Sequence, residues 1–376
     1  MKVVKGASQY LSSKLLGHPY FCHFYVTSRC DLKCKQCTVP EDFKKIDVQN
    51  RGELSLREVA QMADQLKQLK ISNILLTGGE PFARKDLAEI VKILAGRGFS
   101  VRIVTNGASF VGQNRLQQIL DAGIDALQVS FDSLNPDIHD DIAGVKGTWE
   151  KANSTLAYAS SNLKGGMVCA ITVVSSLNIH ELPDIAKYIT SLGAYSIFQP
   201  VHLSSDEGEA GVLGMSDCTE MSIKNQQGAL VVKIYDELIR MKKKGYNILS
   251  SDRFLKDSVA FFTKKKRNWA CDAIKYYITI CPHGEVLPCM RYEDCSWLER
   301  LNILEGNFIL KFKSKKLQED AKRYRRACPG CVYSCYREMS YLFHQPDVVW
   351  DMGTMFVKKT LRDMLKKNTM HKGRLE

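Results

Sequence analysis

The sequence has no apolar run near the roughly 18 residues of a membrane span. Its first twenty residues, MKVVKGASQYLSSKLLGHPY, hold neither the apolar core nor the small-residue cleavage site of a secretory signal. These absences exclude an exported or helical membrane-spanning protein and lead us to expect a cytoplasmic location, at most peripheral to a membrane. No glycine-rich dinucleotide fingerprint, low-complexity tract or recognised nucleic-acid-binding motif is present, so no nucleic-acid partner is expected. What remains is ordinary globular composition, 45% hydrophobic and 25% charged over 376 residues, enough for one large core and a smaller module.

Cysteine is abundant, with 13 residues. An odd count in a long chain without an export signal argues against disulfides and for metal ligands or reactive thiols. Cys22, Cys169 and Cys218 stand alone and read as small buried residues. The other ten fall at 30/34/37, 271/281/289/295 and 328/331/335. Charge is lopsided: residues 1–239 hold 24 Lys+Arg against 26 Asp+Glu, residues 240–376 hold 29 against 15. The basic C-terminal third reads either as solvated helix faces or as a field for an anionic partner: an acidic electron carrier, a substrate or a membrane surface.

From residue 21 to 200, β-rich runs alternate with helical stretches. FCHFYV, NILLT, SVRIVT, ALQVSFD, MVCAITVV and YSIFQP read as six strands. Amphipathic segments between them, such as the one carrying Leu56, Val59, Met62, Leu66 and Leu69, read as helices. Six βα units predict an α/β fold: a partial (β/α)6 TIM-like barrel with helices outside a parallel sheet, followed by a small Cys-rich C-terminal α+β module. The expected divisions are an N-terminal extension (1–20), the barrel (21–200), a loop and helical linker (201–268), the Cys-rich module (269–340) and a basic C-terminal helix and tail (341–376). A helix is predicted at about 223–244, a hairpin within YYITICPHGEVLPC, and a last helix from about 333 towards 367.

In such folds function sits at the C-terminal ends of the strands. That rule brings four segments to one rim: SRCDLKCKQC after the first strand, TGGEP after the second, TNG after the third and SFDS after the fourth. Cys30, Cys34 and Cys37 make CxxxCxxC, with no fourth thiol within reach. A closed structural zinc site needs four ligands. Three thiolates on a four-iron cluster leave one iron open.

CxxxCxxC followed by GGEP resembles the radical S-adenosylmethionine (SAM) superfamily. The resemblance covers about residues 20–200. It implies a [4Fe–4S] cluster held by Cys30, Cys34 and Cys37, with SAM chelating the open iron through its amino and carboxylate groups. Reduction of SAM would then yield a 5′-deoxyadenosyl radical that abstracts hydrogen from a substrate. It further implies that Gly78 and Gly79 allow close backbone approach, that Glu80 accepts hydrogen bonds from the SAM ammonium, and that Ser130 contacts ribose. Asn106 is a turn residue or a pocket residue. Asp132 is the candidate catalytic residue, its alternative being a helix cap or turn. Two positions depart from the common pattern: Gln36 replaces an aromatic, and Ala143 stands where many relatives have arginine.

C-x12-G-x4-C over Cys271, Gly284 and Cys289 resembles the SPASM and twitch extensions of these enzymes. The later group is CxxCxxxC, shorter than a full SPASM domain expects. One auxiliary [4Fe–4S] cluster is therefore implied, held by four of Cys271, Cys289, Cys328, Cys331 and Cys335. Cys281 reads as packing, Cys295 is open, His283 reads as a turn residue, and structural zinc is the alternative metal. The resemblance implies a flavodoxin- or ferredoxin-like electron donor and a small-metabolite, lipid or peptide substrate. The competing function is a non-catalytic metal-binding interaction protein on the same scaffold. The stretch before the first strand reads as too short for a leader-peptide-binding domain.

Overall fold

The computed structural model describes residues 2–46, 51–108, 112–203, 216–264, 271–289, 300–327, 331–355 and 357. Six strands run parallel in the expected order: β1 (Phe21–Thr27), β2 (Asn73–Gly78), β3 (Ser100–Thr105), β4 (Ala126–Ser130), β5 (Met167–Val174) and β6 (Tyr195–Pro200). Their neighbours are consecutive in sequence, as right-handed βα units dictate. The crossover helices are α3 (Leu56–Gln68), α4 (Leu87–Gly96), α5 (Gln113–Asp121), α7 (Thr148–Asn162) and α8 (Leu182–Ser191). Their apolar faces enter the core: α3 buries Val59, Met62, Ala63 and Leu66. Ser55 starts α3 with a capping box, taking the Glu58 amide while the Glu58 carboxylate takes the Ser55 amide.

Three helices lie outside the expected set within or before the barrel. They are α1 (Lys2–Leu16), α2 (Val39–Ile46) and α6 (Pro136–Ala143). The first packs on the far end of the chain, through a Tyr10 hydroxyl bond to the Leu342 carbonyl at 2.7 Å. Asn135 caps α6 by accepting from the Asp137 amide, with Pro136 in the first turn.

The sheet does not close on itself. The free edge of β1 is taken by β7 (Tyr277–Ile280), parallel, and the sheet continues antiparallel through β8 (Glu285–Leu287) to β9 (Leu301–Asn302). The expected hairpin therefore exists, but it extends the barrel sheet instead of standing apart. Residues 331–336 bridge the opening. On the β6 side, Gln199 exchanges hydrogen bonds with the Val332 carbonyl and the Ser334 amide, and His202 stacks on Tyr333 with centroids 4.8 Å apart. On the β1 side, the Tyr336 ring meets His23 edge-on at 4.5 Å. One continuous hydrophobic core runs through barrel and module alike.

The helix expected at about 223–244 is α9 (Gly228–Lys243), which buries Val231, Ile234, Tyr235, Leu238 and Ile239 in the common core, and α10 (Asp252–Lys264) follows it. One expectation about the later chain needs correction: the single last helix is two. The first, α13 (Ser334–His344), stops at Gln345, which is extended at φ −121° and ψ 105°, and helix resumes at 346–355. Pro346 explains the break, because the residue before proline is pushed out of the helical region. The module is completed by α11 (Phe308–Phe312) and α12 (Lys315–Ala327).

The cysteine loop is fixed from both sides by backbone. The Gly79 amide bonds Thr27 O at 2.9 Å and the Glu80 amide bonds Arg29 O at 2.7 Å. Across the loop, the Lys33 and Lys35 amides bond the carbonyls of Ala143 and Ile142 at the end of α6, at 3.1 and 3.0 Å. Gly144 ends α6 in the left-handed conformation at φ +69°, and a Cβ there would lie 2.3 Å from Lys33 O. Gly165 has a similar φ of +72° with open space around it. Gly165→Ala should cost about 1–2 kcal/mol, the backbone penalty alone. Gly144→Ala should cost about twice that, because helix end and cysteine loop must also separate. Urea unfolding of the two apo variants checks this, and equal losses would contradict the docking role given to Gly144.

Candidate active site

The cysteine loop leaves β1 at Thr27 and ends where α2 begins, so Cys37 sits just ahead of a helix N-terminus, with the Val39 amide bonded to its sulfur. The three thiols share one neighbourhood. Burial pushes the Cys34 thiol well above its usual range, and the Cys37 thiol, the Asp132 carboxylate and the Cys30 thiol push the same way. Burial also raises Cys30, with Glu80 and Asp31 adding to the effect. Among the described residues no three His, Cys, Asp or Glu side chains stand close enough to enclose a single ion.

Gly78 and Gly79 have a role the sequence did not disclose. A Cβ at Gly78 would lie 2.3 Å from Thr27 O, and one at Gly79 would lie 2.3 Å from Arg29 O. Their smallness lets the end of β2 lie directly on the root of the cysteine loop. Glu80 is then fully buried. Its Oε1 accepts from the Phe82 amide at 2.9 Å and the Thr105 hydroxyl at 2.8 Å, and its Oε2 accepts from the Asn106 amide at 2.7 Å. Burial outweighs these donors and lifts the carboxyl to about 7. Among the described residues no cation pairs with it. A carboxylate offers about four acceptor positions. With three used, Glu80 keeps one for a donor from a ligand.

Asn106 makes the expected turn, its Oδ1 accepting from the Ala108 amide at 2.8 Å, and its Nδ2 donates to Asp31 of the cysteine loop at 2.9 Å. Ser130 is half-buried at the end of β4. Asp132 is not a helix cap. It is buried, its Oδ1 accepts from the Val173 amide at 2.7 Å, and burial lifts its carboxyl to about 7. Its own amide donates to His139 Nδ1 at 3.1 Å, and burial depresses His139 to about 4, so that ring stays neutral. Asp132 thus faces the cysteines as a second buried carboxyl on the rim. Gln36 turns a buried Oε1 inward with no hydrogen-bond partner among the described residues. Ala143 is buried at the end of α6, where its carbonyl accepts from the Lys33 amide.

In the C-terminal field, Cys295 and Cys328 lie outside the described residues. Cys271 Sγ is 3.1 Å from the Tyr277 hydroxyl and Cys289 Sγ is 2.8 Å from the Tyr324 hydroxyl. Burial first, then Cys271, Cys331 and Cys289, raise the Tyr277 hydroxyl well above its usual range. Cys335 opens α13 and is pushed by burial to about 12. Cys281 is buried at the end of β7, as expected of a packing residue. His283 contacts the Glu285 carboxylate at 3.3 Å within the hairpin turn. Tyr25, missed in the sequence, lies between the two fields. Burial first, then Cys335, Tyr333, Cys281 and Cys37, raise its hydroxyl well above the usual range. Its place on β1 two residues before Thr27 was the available signal, since alternate residues of that strand share one face.

Comparison with known proteins agrees with this geometry. Residues 24–189 match the Radical SAM superfamily. The chain is 26% identical over 305 residues to the PqqA peptide cyclase of Bradyrhizobium diazoefficiens, covering 79% of this chain and 73% of the relative. It is 31% identical over 170 residues to the AdoMet-dependent heme synthase of Oleidesulfovibrio alaskensis, covering 45% of this chain and 42% of that protein. In fold it is similar to Streptococcus suis SuiB bound to S-adenosylmethionine, at TM-score 0.59 and 11% identity, over 84% of this chain and 70% of that one. It is also similar to native anSMEcpe with bound AdoMet, at TM-score 0.62 and 16% identity, over 93% of this chain and all (100%) of that one. Residues 24–189, which carry the cysteine rim and GGEP, are thus the part of this chain that matches the Radical SAM superfamily.

Proposed function

We propose that Cys30, Cys34 and Cys37 hold a [4Fe–4S] cluster and that SAM binds its open iron, with Glu80 receiving the SAM ammonium. The observation that carries this reading is Glu80 itself: a buried carboxylate with a spare acceptor position and no cation among the described residues, beside Cys30. Burying such a charge without a partner is costly, and an ammonium supplies the missing partner. A cluster held by these three thiolates would supply the one-electron reduction that SAM-dependent radical chemistry needs. The chain's own tasks are to hold and to exclude. Gln36 Oε1 offers an acceptor for an adenine amino group, Ser130 a hydroxyl for ribose, and Asp132 a buried carboxyl on the substrate side of the thiols.

We further propose one auxiliary [4Fe–4S] cluster on Cys271, Cys289 and two of Cys328, Cys331 and Cys335. The shared effect of Cys271, Cys331 and Cys289 on the Tyr277 hydroxyl supports it. Of the substrate classes open from the sequence, a modified peptide is favoured. The support is the relative named for peptide cyclisation, whose similarity spans 79% of this chain and so is longer than the 24–189 domain alone. An acidic flavodoxin- or ferredoxin-like donor suits the basic C-terminal third.

Three measurements follow. Anaerobically reconstituted chain with SAM and dithionite should form 5′-deoxyadenosine. Changing Cys30, Cys34 and Cys37 together to Ala should abolish this and leave about half of the iron. Full iron loading without 5′-deoxyadenosine would favour the non-catalytic alternative, and zinc in the altered chain would remove the auxiliary cluster. Glu80→Gln should weaken SAM binding about tenfold or more at pH 8, read by equilibrium dialysis. The Glu80 carboxyl titrates near 7 in the free protein, so below pH 7 it must lose a proton to receive the ammonium. SAM affinity of the unaltered chain should therefore fall by up to about tenfold per pH unit below 7, and Glu80→Gln should flatten that slope. A slope unchanged in the variant would assign the titration elsewhere.

A further inference from the structure

Two tyrosine hydroxyls in the C-terminal field end on sulfur. Tyr277 opens β7 and meets Cys271 Sγ at 3.1 Å, and Tyr324 on α12 meets Cys289 Sγ at 2.8 Å. Neither ring is free to turn away. Tyr277 is 2% exposed and packs on Tyr336 with centroids 4.7 Å apart, and Tyr324 is 4% exposed. Nearby buried tyrosines put their hydroxyls elsewhere: Tyr336 on Thr279 and Tyr341 on Asp257. The two contacts come from separate elements and converge on the two cysteines of the C-x12-G-x4-C motif.

A cysteine bound to iron is a thiolate and has no proton to give, so in these pairs the hydroxyl must donate. Reduction adds negative charge to a cluster and its sulfurs. A donor on sulfur therefore stabilises the reduced form more than the oxidised one.

We propose that Tyr277 and Tyr324 are positioning residues of the auxiliary site, whose hydroxyls donate to the Cys271 and Cys289 sulfurs and raise the reduction potential of the cluster they hold. This rests on the auxiliary-cluster reading above. It gives α12 a double character: its inner face tunes the cluster through Tyr324, and its outer face carries the exposed Lys322, Arg323 and Arg326.

The test uses the full-length chain with Cys30, Cys34 and Cys37 changed to Ala, so that any cluster signal comes from the second field. Tyr277→Phe and Tyr324→Phe are added singly, with Tyr341→Phe as control. A dye-mediated potentiometric titration with dithionite is followed by electron paramagnetic resonance. At the parent's midpoint, each of the two variants should show a reduced-to-oxidised ratio about tenfold lower, a one-electron shift of ~59 mV to more negative potential. The control should not move. Full iron with an unchanged midpoint in both variants overturns the inference and leaves the auxiliary cluster standing. Loss of iron from both overturns it in favour of a purely structural role, and if one variant loses iron the other decides. A parent chain without iron removes the auxiliary-cluster reading itself.

Discussion

The architecture of the rim depends on backbone meeting backbone where the cysteine loop leaves the barrel. The amides of Gly79 and Glu80 grip Thr27 and Arg29 from one side, and the last carbonyls of α6 grip Lys33 and Lys35 from the other. Contacts this close tolerate no side chain at Gly78, Gly79 or Gly144. These anchoring bonds run through main chain and engage none of the three thiols. The thiols are therefore positioned by strand ends and a helix end, which are rigid, and not by the loop's own sequence. The same contact forces Glu80 into the interior, where its three donors come from the ends of β2 and β3.

The buried carboxylates are the chemical counterpart of that geometry. Glu80 and Asp132 are both buried and both lifted to about 7, and they follow β2 and β4, with β3 between them. Each lacks a cationic partner among the described residues, which is a cost in the free protein. On the function proposed above, these two groups beside three thiols receive a ligand with positive charge and polar groups. The sulfonium and ammonium of SAM meet that description. The lone buried acceptor of Gln36 on the same loop extends it.

Much of the barrel was legible because its signals are local. The six strand segments and the α3 stripe of Val59, Met62 and Leu66 follow from period alone. The rim motifs were legible because strand ends converge in any such fold. What escaped was short or non-local. The helix α2, only eight residues, was hidden beside the cysteines, and α6 was hidden by its acidic composition although Asn135–Pro136 marked its start. Pro346 already forbade an unbroken last helix. Pairing of β7 with β1 joins residues more than 250 apart and has no sequence signature, so the module read as separate when it completes the sheet. Partners of Glu80 such as Thr105, and of the cysteine sulfurs such as Tyr324, were likewise set only by folding.

The central claim is that the three-cysteine loop holds a cluster with one open iron facing Glu80. Mössbauer spectroscopy of chain reconstituted with iron-57, recorded with and without SAM, tests it most directly. The account expects one iron of about eight to change its isomer shift and quadrupole splitting when SAM is added, with the rest unchanged. A spectrum in which SAM alters no iron would contradict it.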